Sequence, residues 1–249
     1  YNVTMKKFFK KKNLVFTPDI SASYEQPHKT FRIGSACALI LAPVILVSLG
    51  ACGKTIDYFD YVSELRSNIL LAEQEDFSLR VYATEKESPY TADGVKRAVS
   101  PRAEIYLTGP VVTESCDISF TYNGKEYGGD MSFDNVKLEY FYSCTLDISA
   151  ASSISFKITI EETSLEMTAT TVRTDNMLSP KEVVEKIQTA ESEKFKSMTD
   201  SKGFAGEIYL RLIYEDAPYY YIGIIDREGT IFALLVDSES GKILAKREM

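Results

Sequence analysis

The chain has 249 residues, 45% of them hydrophobic, and a formal net charge of −8. That apolar share supports folded cores rather than disorder, and the length suits one large or two small domains. The acidic balance excludes nucleic acid as a partner, because phosphate binding needs clustered Lys and Arg, and the only histidine, His28, lies near the N-terminus. The rest of the chain therefore has no Ser-His-Asp or Cys-His catalytic set and no His-ligated zinc.

Residues 33–51 form an almost unbroken apolar run that ends in Leu49-Gly50-Ala51-Cys52, with Lys29 and Arg32 just ahead of it. A basic segment, an apolar core, small residues and then cysteine resembles the lipobox signal of bacterial lipoproteins. The resemblance implies that residues 1–51 are a leader removed before Cys52, and that the Cys52 thiol carries acyl chains such as palmitate. The protein is then extracytoplasmic and lipid-anchored to the bacterial cell membrane. One acyl chain holds only marginally, so stable anchoring needs the two or three that such lipoproteins carry. The rival reading is an uncleaved transmembrane anchor, which needs about 20 apolar residues. A buried core helix is a third.

Residues 1–51 contain seven of the 28 basic and two of the 36 acidic residues, so the remainder carries 21 against 34, a net charge near −13. Such a surface gains nothing from anionic lipid, which leaves membrane attachment to the anchor.

After Cys52, Ile56, Tyr58, Phe59, Val62, Leu65, Ile69 and Leu70 are spaced as one face of a short helix, predicted within 52–75. Residues 76–175 change to period two. Phe77, Leu79, Val81 and Ala83 alternate, as do Ala103, Ile105 and Leu107. Cys116, Ile118, Phe120 and Tyr122 lead into Asn123-Gly124, the strongest short-range hairpin signal. Val136 to Ile148 is apolar at every even position, and runs near 154–160 and 165–169 complete an antiparallel, immunoglobulin-like β-sandwich. Glu73, Glu75 and Asp76 read as a solvated loop and Asp93-Gly94 as a turn. Cys116 and Cys144 sit on the apolar phase of their strands, and in an extracytoplasmic protein they are expected to pair as a disulfide. Two buried free thiols are the alternative.

Ser179-Pro180-Lys181-Glu182 is a capping box with Pro at the first helical position, and it starts a helix to about Thr199. Four strand-like runs follow, 207–214, 219–225, 230–237 and 242–247, joined by short Asp- and Gly-containing turns. A helix before such a meander must cover one of its faces, which makes 176–249 an α+β unit. This order resembles the PepSY domain family. Leu235-Val236-Asp237-Ser238-Glu239-Ser240-Gly241-Lys242-Ile243-Leu244 matches the strand, Asp-x-x-Thr-Gly turn and strand that end such units, with Ser240 in the Thr position. The resemblance implies a helix packed on a four-stranded meander, partner modulation or protease inhibition at the cell surface, and no catalytic residues. The expected fold is thus α+β.

Asp237-x-Glu239-x-Gly241 reads as a turn rather than a calcium loop, since the further ligand positions fall in a strand. Tyr219, Tyr220 and Tyr221 alternate faces in a strand, so at least one points away from the core and is a candidate contact residue. These features point to a non-enzymatic lipoprotein that binds or modulates another extracytoplasmic protein or peptide, with an exposed meander edge adding a strand. A small-ligand-binding lipoprotein is one alternative and needs an apolar pocket. A carboxylate-based cell-envelope enzyme is the other and needs two acids with separated pKa values. No cofactor or metal is expected.

Expression in a bacterial host, wild type beside Cys52→Ala, tests the anchor. The wild type is expected to have the mass of residues 52–249 plus acyl chains and to partition into membranes, and the variant to lose both. An uncleaved, unlipidated species in both cases would make 33–51 a transmembrane anchor.

Overall fold

Strand β1 (Val62–Gln74) determines the architecture because it has three partners. A computed structural model describes residues 56–88, 95, 97–110 and 115–249. The leader, Cys52 and Asp93-Gly94 lie outside these. Along one edge β1 pairs antiparallel with β2 (Phe77–Glu87), from Glu64 opposite Lys86 to Gln74 opposite Phe77. Its other edge is divided. Val62–Arg66 pair in parallel with β12 (Glu207–Tyr214), and Leu70 and Leu71 then pair antiparallel with β9 (Thr163–Thr171).

The helix expected within 52–75 is therefore a correction: after a 3-10 turn at Tyr58–Tyr61, this stretch is strand. The misleading spacing has a physical cause. β1 buries side chains on both faces, and a register shift between Arg66 and Asn68 resets their phase. Leu65 and Ile69 join one core and Leu70 the other. An amphipathic helix and a strand buried on both faces then look alike in sequence.

The remaining strands extend from this spine. Beyond β2 lie β3 (Val99–Thr108), β7 (Glu139–Cys144) and β6 (Ser132–Asp134). Beyond β12 lie β13 (Pro218–Ile225), β14 (Ile231–Asp237) and β15 (Ile243–Glu248). From β9 a branch runs through β8 (Ser153–Ile160) and β4 (Cys116–Tyr122) to β5 (Lys125–Asp130). The branch curls back until the Tyr142 hydroxyl of β7 donates to the Gly128 carbonyl of β5 at 3.1 Å, nearly closing a barrel. A separate hairpin pairs β10 (Thr199–Asp200) with β11 (Gly203–Phe204).

The fold is thus mostly β, built on one thirteen-stranded sheet, and this corrects the expected α+β fold and its PepSY-like helix-on-meander unit. The individual strands from 207 onward are present, but their sheet continues through the β1–β12 pairing into the barrel. Alternation in sequence marks strands and their inward faces. It carries no information about which distant edges meet.

Two apolar cores result. Leu79, Val81, Ile105, Leu107, Ile118, Phe156 and Ile158 fill the barrel. The second lies under helix α1 (Pro180–Ala190), whose Val183, Val184 and Ile187 pack with Ile208, Leu210, Ile222 and Leu234. The capping box forms as predicted: Ser179 Oγ accepts from the Glu182 amide at 3.3 Å, and Glu182 Oε2 accepts from the Ser179 amide at 2.7 Å. The helix breaks at Glu191, and a short α2 (Ser192–Ser197) turns Phe195 into the core against Tyr58 and Phe204. Asn123 and Gly124 both have positive φ, 51° and 76°, as a tight two-residue hairpin requires.

At the division of β1 the backbone loses regular partners, and polar side chains replace them. Asn68 is buried, and its Nδ2 donates to the carbonyls of Ala151 at 2.9 Å and Ile148 at 3.4 Å. Its Oδ1 accepts from the Thr171 hydroxyl at 2.5 Å. Arg173 donates to Ser67 O at 3.1 Å, to the Tyr220 hydroxyl at 2.8 Å and to Leu178 O at 3.2 Å. Replacing Asn68 with Ala strips partners from two buried carbonyls and a hydroxyl. We expect a loss of about 2–3 kcal/mol, read as a lower urea midpoint at unchanged m-value.

Candidate functional site

Strand β2 sends Leu79, Val81 and Ala83 into the barrel, so Arg80, Tyr82, Thr84 and Lys86 face the other way. Strand β3 does the same, with Ala103, Ile105 and Leu107 inward and Glu104 and Tyr106 outward. Cross-strand register then assembles a strip on the outer face. Arg66 of β1 lies opposite Thr84, Tyr82 opposite Glu104, and Arg80 opposite Tyr106, which is opposite Phe141.

The strip is an aromatic row fastened by ion pairs. The Arg66 guanidinium stacks 4.0 Å from the centre of the Tyr82 ring. Tyr82 and Tyr106 are 5.4 Å apart, and Tyr106 and Phe141 4.9 Å. Arg211 forks onto Glu64 with bonds of 2.9 and 2.6 Å. Lys86 meets Glu104 at 3.0 Å, and Arg80 meets Glu139 at 2.5 Å. These pairs add little stability where solvent reaches them, but each fixes the rotamer of a side chain beside a ring.

Arg66 differs from the other strip cations. Its Nε is buried and has no hydrogen-bond partner. Burial lowers its pKa, against the opposing pull of Tyr82, and Arg211 lowers it further. Burial and the nearby Glu104 charge both raise the Tyr106 hydroxyl well above the ordinary phenol range. The strip therefore presents a neutral phenol and a permanent cation at ordinary pH. Such a surface suits planar and carboxylate groups.

Among the described residues, no three acidic, cysteine or histidine side chains converge to hold a metal ion. Two open hollows lie elsewhere. One, of about 330 Å³, is bordered by Tyr61, Asp200, Lys202, Phe204 and Arg227, and the other, of about 400 Å³, lies along α1 at Leu178, Glu182 and Lys186.

The three consecutive tyrosines divide as their alternation requires. Tyr220 is fully buried, and its hydroxyl donates to Leu178 O at 2.9 Å, so it is a core residue and not part of a contact surface. Tyr219 and Tyr221 are half-buried on the opposite face, Tyr221 opposite Arg211 in register. Cys116 and Cys144 are free thiols where a disulfide was expected. The Cys116 sulfur lies 3.7 Å from that of Met131, and Cys144 sits on β7 opposite Ala103. Arg66, Tyr82, Tyr106 and Phe141 were not among the sequence-derived candidates. Their signal was there: Tyr82 and Tyr106 occupy the outward phase of strands whose inward phase was already assigned. No protein-family model matches the chain, and neither a curated protein nor a solved structure does.

The thiols give a pH test. Burial, aided by the Asp117 charge, pushes Cys116 up to about 11 from an ordinary 9.0, and burial also raises Cys144. Between those values the unfolded chain releases the Cys116 proton and the folded one keeps it. The thiol's contribution to stability is therefore complete below pH 9 and is lost as pH rises toward 11. The melting temperature of Cys116→Ala is expected to fall less over that range than that of wild type.

Proposed function

We propose that this chain is a lipoprotein anchored through Cys52 that binds another extracytoplasmic protein or peptide and catalyses no reaction. The observation that carries the reading is the strip of Arg66, Tyr82, Tyr106 and Phe141. Arg and Tyr dominate binding energy at protein interfaces, where large side chains on a firm base lose little entropy on contact. Here they stand on central strands instead of loops, and neighbouring ion pairs already hold them in place. The Arg66 guanidinium, stacked on the Tyr82 ring, supplies positive charge within the aromatic row.

The test is photo-crosslinking from position 141 in the intact lipoprotein, in its own cells, with and without Arg66→Ala. We expect a discrete protein adduct in the wild type and at least a tenfold loss of it in the variant, with thermal melting confirming that the variant is folded. No adduct, or one indifferent to Arg66, would remove the strip as a binding surface.

A further inference from the structure

The outer face carries a second pattern, which runs across the strands. Register places Tyr221 opposite Arg211, Arg211 opposite Arg66, Arg66 opposite Thr84 and Thr84 opposite Arg102. Three arginines therefore stand in one row over β12, β1 and β3, with Thr84 of β2 between the last two. Neighbouring strands are about 4.8 Å apart, so the Arg66 backbone lies about 5 Å from that of Arg211 and about 10 Å from that of Arg102. The adjacent residues Leu65, Leu210, Leu212 and Ala103 fill the two cores, which sends all three arginines outward.

Charge along this row is not balanced. Arg211 pairs with Glu64, and Lys86 of β2 with Glu104. Arg66 and Arg102 form no ion pair among the described residues. The carboxylates also lie deeper than the cations that hold them. The side chains of Glu64 and Glu104 are 12% and 9% exposed, those of Arg211 and Lys86 20% and 37%. Arg102 is exposed, and its carbonyl accepts from the Thr84 hydroxyl at 3.4 Å. The partner of Arg66 is the Tyr82 ring, which leaves its charge uncancelled. Solvent thus meets a cationic row on a chain that carries 21 basic against 34 acidic residues from Cys52 onward.

We propose that Arg211, Arg66 and Arg102 bind carboxylates of an extended acidic peptide segment on the partner, laid across the strands with Asp or Glu at alternate positions. The proposal rests on the binding-module reading and names the partner's chemistry. A guanidinium donates to a carboxylate through two parallel bonds, a geometry that lysine lacks. In an extended peptide, side chains on one face recur about every 7 Å. Flexible arginine stems spaced about 5 and 10 Å apart can meet them. Tyr82 and Tyr221 border the row and offer apolar contact to the residues between. The acidic remainder of the surface repels such a partner, so it docks in one orientation. A nucleic acid is charged along its whole length and meets that repulsion throughout.

The full-length protein is panned against phage-displayed random dodecapeptides, wild type beside Arg102→Glu, Arg102→Gln and Lys157→Glu. Lys157 is exposed on β8, outside the row, so its variant makes the same change of net charge elsewhere. We expect the wild type to enrich peptides with Asp or Glu at alternate positions. Their affinity should fall at least tenfold in Arg102→Glu, at least threefold in Arg102→Gln and less than twofold in Lys157→Glu. Added salt should weaken it. Thermal melting identifies the variants that fold, and Arg102→Gln decides if the reversal does not. Enriched peptides without acidic residues, or acidic ones indifferent to Arg102, would overturn the row and leave the binding-module reading standing. Equal losses in Arg102→Glu and Lys157→Glu would reduce the effect to net charge and also overturn the row. No enrichment on any of the proteins would overturn both readings. Cosedimentation with phosphatidylcholine–phosphatidylglycerol vesicles, lost in Arg102→Glu but kept in Lys157→Glu, would assign the row to lipid headgroups and overturn the proposal.

Discussion

The fold depends on one strand that changes partners along a single edge. Val62–Arg66 hydrogen-bond to β12 and Leu70–Leu71 to β9, while β2 runs the length of the other side with one register shift between Arg66 and Asn68. Between them, a few residues of β1 have no strand to pair with. Buried backbone groups without partners cost about as much as lost hydrogen bonds, so side chains must replace the missing ladder. The Asn68 side chain accepts from the Ile69 amide, and Arg173 donates to the Ser67 carbonyl. Both cores begin at this junction, since Ile69 and Leu70 are consecutive and enter different ones.

Local chemistry was readable from the residues. The Asn123-Gly124 hairpin, the Ser179 capping box and the strands from Glu207 onward appear where their turn and periodicity signals place them. Each of these is decided within a few residues. What could not be read is decided at long range. The parallel pairing of Val62–Arg66 with β12 joins segments far apart in the chain, and it turns an apparent α+β unit into an extension of a barrel. The apparent helix over β1 fails for the same reason, because a strand buried on both faces needs the second core in order to exist.

The candidate site shows a different limit. Inward phase was easy to assign, because Leu79, Val81, Ile105 and Leu107 are uniformly apolar. The site occupies the outward phase, where a tyrosine reads as an ordinary strand former. Only register brings Tyr82, Tyr106 and Phe141 into one row with Arg66. The ion pairs around them order the surface: each joins a cation to a largely buried carboxylate and so removes rotamers beside a ring. Val136 and Leu138 mislead in the opposite direction: they share the parity of the buried positions of β7 but lie beyond its first residue.

The connection of β1 to the preceding chain has a mechanical consequence. A pull applied ahead of Ile56 and resisted at the end of the sheet beside Gln74 acts along the axis of β1 and reaches its hydrogen bonds to β2 and β12 together. Bonds perpendicular to the load and strained in parallel must fail collectively. Bonds at the end of a hairpin would open one after another. A domain loaded in this way resists tearing far better than its equilibrium stability alone indicates, and a sheet core reached from its central strand is the arrangement that provides it.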